Sequence, residues 1–138
     1  MKLKGIELKG TYKVKFSDKW FEVYNEKDNL IYGENSDGDW VKNEHDANGK
    51  RIYLENSNGY WSKSEYDEKG NPVYYENSDG IWHKIEYDEK GNLIYFENSG
   101  GYIDDKRPKE LSIEEIEELL GYKIKIKGER KWINQNLN

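Results

Sequence analysis

The sequence predicts a mainly β protein. The expected form is an antiparallel β-meander of about four 21-residue hairpin repeats in a twisted, largely single-layer sheet, with a C-terminal capping helix and strand. Three observations predict it. The phrase Glu-Asn-Ser-x-Gly-x-Trp occurs at Glu34–Trp40, Glu55–Trp61 and Glu76–Trp82, and it loses its Trp at Glu97–Ile103. A second phrase, Tyr-Asp-Glu-Lys-Gly-Asn, occurs at Tyr66–Asn71 and Tyr87–Asn92, with worn copies at Tyr24–Asn29 and His45–Lys50. Trp20, Trp40, Trp61 and Trp82 recur every 20 or 21 residues. A period of that size marks stacked copies of one supersecondary unit.

Composition sets limits. Only 34% of the 138 residues are hydrophobic and 36% are charged, a balance that leans toward disorder. Five Trp, twelve Tyr and three Phe argue for a folded chain, because each aromatic buries a large area. A folded but thin object with little dry core is expected. There is no cysteine, which excludes disulfides and thiolate chemistry. The N-terminus has no apolar signal segment and no run is long enough to span a bilayer, so the default expectation is the cytoplasm.

Net charge is −6 but unevenly spread. Residues 1–19 hold six Lys against Glu7 and Asp18, giving +4. Residues 20–102 hold 18 acids and eight bases, giving −10, and residues 103–138 balance eight against eight. An acidic sheet disfavours direct nucleic-acid binding and favours a protein partner with a basic surface.

Within one copy, Trp82–Tyr87 and Leu93–Asn98 read as strands. Asp88–Asn92 between them reads as a type I turn with a bulge at Gly91; Gly49 and Gly70 sit at the same place, and Asp28 replaces Gly in the first copy. The other link, Asp79-Gly80, reads as a two-residue type I′ turn, as do Asn58-Gly59 and Asp37-Gly38. These turns together set Tyr75 opposite Lys84, Tyr74 opposite Ile85, and Ile85 opposite Tyr95. One face then carries Trp82, Lys84, Glu86, Ile94 and Phe96, with Trp61, Lys63, Glu65, Val73, Tyr75 and Trp40, Lys42, Glu44, Ile52, Leu54 as equivalents. The other face carries Ile85, Tyr87, Leu93 and Tyr95, with Tyr53 and Tyr74 as equivalents. About eight strands result, two per copy.

Residues 1–19 are expected to supply an N-terminal capping strand at Thr11–Phe16, its Lys13 and Lys15 guarding an open edge. Residues 20–102 form the hairpin repeats. Residues 103–138 form the helix-strand cap, the three parts making one domain. Ser112-Ile-Glu-Glu115 is a capping box, Ile113, Ile116, Leu119 and Leu120 make an apolar stripe, and Gly121 stops the helix. Tyr122–Lys127 then alternates as a strand.

The residues offer little catalytic chemistry. His45 and His83 lie about two repeats apart, and neither has a recurring partner; His45 reads as a packing residue and His83 as a surface one. Rows of Glu recur, but a repeat gives each member a similar environment, whereas an acid–base pair needs two different ones. No phosphate loop, Gly-x-Ser-x-Gly or His-Glu-x-x-His motif is present. No enzyme, metal or cofactor is expected. Trp and Tyr are enriched at binding hot spots. The candidate binding residues are therefore Trp40, Trp61, Trp82, Tyr53, Tyr74, Tyr75, Tyr95, Glu44, Glu65 and Glu86. Apolar residues on both faces also leave room for a face-to-face homodimer.

Tyr87-Asp-x-x-Gly91-Asn-Leu-Ile94, recurring every 21 residues, resembles the YD repeats of RHS-type proteins and related hairpin repeats in short proteins of bacteria and their phages. The resemblance covers residues 20–102 and implies a β-hairpin repeat. Tyr74-Tyr75-Glu-Asn-Ser-Asp-Gly80 and the Trp after it resemble choline-binding cell-wall repeats, which implies a carbohydrate- or choline-binding module built on aromatic hairpins. A small acidic chain rich in Lys, Glu, Asn and Tyr looks like a phage or mobile-element product. The leading expectation is a non-catalytic protein-binding module. Its most concrete form is a phage-encoded inhibitor of a bacterial defence protein such as a CRISPR nuclease, its acidic sheet occupying a basic nucleic-acid channel.

Overall fold

The computed structural model describes residues 8, 10–125 and 127. The described chain forms one open antiparallel sheet whose spatial order is its chain order: β1 (Lys13–Phe16), β2 (Trp20–Tyr24), β3 (Leu30–Asn35), β4 (Trp40–His45), β5 (Arg51–Asn56), β6 (Trp61–Tyr66), β7 (Pro72–Asn77), β8 (Trp82–Tyr87), β9 (Leu93–Asn98) and β10 (Ile103–Asp105). The meander read from the repeat is thus present. The repeats supply eight strands, as expected, and β1 and β10 flank them to make ten. One helix follows, α1 (Ile113–Leu120). The described residues up to Lys106 and those from Arg107 onward are two compact units.

Both turns of the repeat prove to be the same turn. In Asp88–Asn92 the Gly91 N–H bonds the Asp88 carbonyl at 2.9 Å and the Asp88 N–H bonds the Asn92 carbonyl at 2.9 Å. In Asn77–Ile81 the Gly80 N–H bonds the Asn77 carbonyl at 3.1 Å and the Asn77 N–H bonds the Ile81 carbonyl at 3.0 Å. Gly91 and Gly80 hold φ of 85° and 78°. A type I′ turn needs positive φ at both central residues, and Asp79 does not have it. The type I′ expectation is therefore corrected to a three-residue turn. The cause is the side chain at the first position. Asn77 Oδ1 accepts from the Asp79 and Ile81 N–H groups, as Asp88 Oδ1 accepts from those of Lys90 and Asn92. A short acceptor at that position holds the chain in a type I conformation.

The three-residue turn slides the register by one and changes the faces. Across β7 and β8, Tyr74 pairs with Lys84, Tyr75 with His83 and Glu76 with Trp82. Across β8 and β9, Glu86 pairs with Tyr95 and Ile85 with Phe96, while Tyr87 pairs with Leu93. The step between those last pairs is a bulge that leaves Ile94 over. Ile31, Ile52 and Val73 are the left-over residues of the earlier copies. The bulge is why an odd period works. Side chains alternate with period two, so 21 residues alone would flip every copy. One extra residue per copy restores the phase.

Cross-strand partners share a face, so the front face carries Trp40, Trp61 and Trp82 with Lys42, Lys63, Lys84 and Tyr32, Tyr53, Tyr74, Tyr95. Phe96 and Leu54, expected beside the Trp row, lie on the back with Tyr75 and His83. Trp20 is not a member of the row either. The Ser57, Ser78 and Ser99 N–H groups bond the carbonyls of Trp40, Trp61 and Trp82, and the Ser36 N–H bonds Lys19, so Lys19 is the equivalent of those Trp residues. Trp20 lies on the back face, where its ring lies over Gly33: a Cβ added there would meet Cζ3 at 3.8 Å.

The same serines explain the Glu-Asn-Ser phrase. Ser78 Oγ accepts the Trp61 N–H at 3.3 Å, and Ser57 and Ser99 do the same for Trp40 and Trp82 at 3.2 Å. Asn closes its own hairpin, and Ser fastens that hairpin to the strand before it. Only Val23 and Tyr32 are fully buried among hydrophobic described residues, so the core sits in the first copy.

In the second unit, Ser112 and Glu115 form the expected capping box, at 3.2 Å and 2.7 Å, and Gly121 ends α1 at φ 74°. The strand expected at Tyr122–Lys127 is not formed by residues 122–125, and Ile126 lies outside the described residues. Glu117 gives the reason: its carboxylate takes the Lys123 ammonium at 2.6 Å and the Ile124 N–H at 3.0 Å, which removes that N–H from any ladder. Among the described residues no helix is long and apolar enough to cross a membrane.

Candidate functional site

The front face is built from one four-residue cluster used three times. Lys63 Nζ lies over the Trp61 ring at 5.4 Å and 3.4 Å from Glu76 Oε1, and Glu76 accepts the Tyr74 hydroxyl at 3.1 Å. One copy earlier, Lys42 lies over Trp40 at 5.1 Å, pairs with Glu55 at 3.3 Å, and Glu55 accepts from Tyr53 at 3.5 Å. One copy later, Lys84 lies over Trp82 at 5.5 Å, stands across from Glu97, and Glu97 accepts from Tyr95 at 2.8 Å. The pleat places Trp and Lys two apart on one strand and Tyr and Glu two apart on the next. In the first copy Lys19 and Phe21 stand where Trp and Lys should be, and the buried Glu34 keeps its Tyr32 hydroxyl.

Beside each cluster is a second carboxylate. Glu44, Glu65 and Glu86 face Tyr53, Tyr74 and Tyr95 across the ladder, and all three are exposed. Among the described residues Glu44 and Glu65 make neither hydrogen bond nor ion pair. Two carboxylates therefore flank each phenol. Tyr53 is raised above the ordinary phenol range by burial first, then by the charge of Glu55, its hydrogen bond, and Glu44. Tyr74 is raised by burial, by its hydrogen bond to Glu76, and by the charges of Glu76 and Glu65. An open depression of about 520 Å³ lies in this region, lined by Glu44, Ile52, Tyr53, Lys63, Ser64 and Glu65.

The structure thus brings nine of the ten sequence-derived candidates onto one face: Trp40, Trp61, Trp82, Tyr53, Tyr74, Tyr95, Glu44, Glu65 and Glu86. Tyr75 is the exception. It heads a back-face ladder of rings, with His83 at 5.2 Å, then Phe96 at 5.9 Å from His83, then Tyr102 at 6.0 Å from Phe96. The Tyr75 and Tyr60 hydroxyls lie 3.1 Å apart, and Asn77 Nδ2 donates to Tyr75 at 3.3 Å. His83 is accordingly a packed ring in mid-ladder and not the surface residue expected. Its neighbours are visible in the sequence only once the three-residue turn is known.

His45 ends β4, where it pairs with Arg51 just past the bulge. Its Nδ1 is buried without a partner, and burial, then Arg51, holds it below the usual imidazole range. No group of three or more His, Cys, Asp or Glu able to hold a metal occurs among the described residues. The front face thus carries aromatic rings, lysines that lie over them, and carboxylates exposed to solvent.

The chain matches no protein-family model and no curated protein.

Proposed function

We propose that the chain is a non-catalytic binding module whose front face receives a protein with a basic surface. The observation that supports it is the pairing of an exposed carboxylate with a half-buried Tyr in each copy, Glu44 with Tyr53 and Glu65 with Tyr74, beside lysines that are already engaged. Because Lys42 and Lys63 are taken up by Trp, Glu55 and Glu76, the outward-facing charge is negative. Aromatic rings supply contact area at low entropic cost, and complementary charge steers the encounter. The narrower form is a phage-encoded inhibitor that fills a basic nucleic-acid channel of a host defence nuclease. A choline-binding module is the competing reading, but the position over the Trp40, Trp61 and Trp82 rings that a quaternary ammonium needs holds a lysine ammonium of the chain itself.

The test is capture from a bacterial host lysate followed by reconstitution with the purified partner. Binding should weaken with added salt and be lost in Glu44→Lys with Glu65→Lys and in Trp61→Ala with Trp82→Ala. A partner that ignores both pairs of changes sinks the proposal, as does the absence of any stoichiometric partner. Tryptophan quenching by millimolar choline would favour the competing reading.

A further inference from the structure

The sheet has two unlike ends. β1 and β10 close the strand order, and no described strand pairs with the outer side of either. An open edge is a template for another strand. β1 carries Lys13 and Lys15, whereas β10 carries Asp104 and Asp105. Each end also shows apolar side chains: Val14 and Phe16 are 44% and 75% exposed on β1, and Ile103 is 58% exposed on β10.

We propose that the partner for these ends is a second copy of the chain, joined head to tail, β10 of one copy against β1 of the next. Strand polarity permits it, because an even number of alternating strands lets β1 of the following copy run antiparallel to β10 without turning the sheet over. The faces also match. Val14 and Phe16 pair with Val23 and Phe21, which pair with Tyr32 and Glu34 on the front; Ile103 pairs with Glu97, also on the front. Lys15 leads through Glu22 to Gly33 on the back, and Asp104 pairs with Phe96 on the back. Face continuity therefore sets Asp104 opposite Lys13 or Lys15 and Ile103 opposite Val14 or Phe16. Opposite charges and apolar pairs across a ladder stabilise it.

Charge also selects this pairing over the alternatives. β1 against β1 sets lysine on lysine, and β10 against β10 sets aspartate on aspartate. Only the unlike ends attract, and a heterologous contact of that kind grows as an open chain of copies. Lys13 holds Asp28 at 2.6 Å and Lys106 holds Asp104 at 2.8 Å, all on exposed or half-exposed groups that keep capacity for another contact.

The experiment is sedimentation of the full chain over a wide concentration range, with circular dichroism confirming each variant's fold. Wild type should form a concentration-dependent ladder of masses. Lys13→Glu with Lys15→Glu should give monomer, and Asp104→Lys alone should give monomer. Their equimolar mixture should form a ladder of alternating copies, because the native β10 end of the first variant meets the native β1 end of the second and the two charge-reversed ends meet each other. All three changes in one chain should restore the ladder. A wild type that stays monomeric at the highest concentration overturns the proposal. So does a ladder indifferent to the substitutions, or a mixture that stays monomeric.

Discussion

Lys63 stands between Trp61 and Glu76, 5.4 Å from the ring centre and 3.4 Å from the carboxylate. The lysine thus joins two strands through one ammonium. Exposed cation–π contacts and surface ion pairs each contribute up to about 1 kcal/mol. Lys63→Met, which keeps the stem over the ring, should lower unfolding stability by less than about 1 kcal/mol, and Lys63→Ala by somewhat more. Urea unfolding of both variants checks this.

Ser78 Oγ accepts the Trp61 N–H from the preceding hairpin. Ser78→Ala leaves that N–H without its acceptor and should cost about 0.5–1.5 kcal/mol. Amide exchange at Trp61 should speed up with little change at Trp40, whose acceptor is Ser57. Equal acceleration at both amides would show that the serines do not act as separate fasteners.

Gly80 holds φ 78° with nothing within 4 Å of where a Cβ would stand, so substitution there tests backbone strain alone. Gly80→Ala should destabilise by about 1–2 kcal/mol, and Gly80→Asn by less. Asp28 holds the same region at φ 62° without being glycine. Asp28→Gly should relieve strain there while losing the exposed contact with Lys13, for a net gain in thermal stability.

Asp67 and Asp88 lie below the ordinary carboxylate range because the Asn71 and Asn92 side chains, then the backbone N–H groups of their own turns, bond the ionised form. A depressed folded-state value stabilises the fold above the unfolded value, near 3.9, and that contribution fades as pH falls through the folded one. Stability should therefore drop below about pH 4. Asp67→Asn with Asp88→Asn should flatten that drop, since Asn77 closes the equivalent turn without titrating. Melting temperature against pH for the two proteins is the measurement.

The repeat, the strand positions and the capping box at Ser112 are all visible as sequence. So is the positive φ at Asp28, because it fills a glycine's place. The faces are not. Asp79-Gly80 resembles a two-residue turn, and only the side chain of Asn77, two residues earlier, converts it to a three-residue one. That single residue decides whether Tyr74 or Tyr75 stands beside Trp82. Ile94 hides in the same way: a bulged residue looks like any other aliphatic in a strand, and its effect shows only in the pairing of Leu93 and Tyr95. Trp20 misleads by identity, since tryptophan suggests membership of the row while Lys19 occupies the place.

The serine that ties each hairpin to the strand before it makes the chain a ruler. Excising Ser62 to Trp82 would leave Trp61 running straight into His83, with Ser99 Oγ in position to receive the Trp61 N–H as Ser78 did. Every junction would be one the protein already contains, and the front face would shorten by one Trp, one Lys, one Tyr and two Glu. Reach is therefore a heritable length, adjustable in steps of 21 residues by unequal duplication, while the chemistry of each step stays fixed.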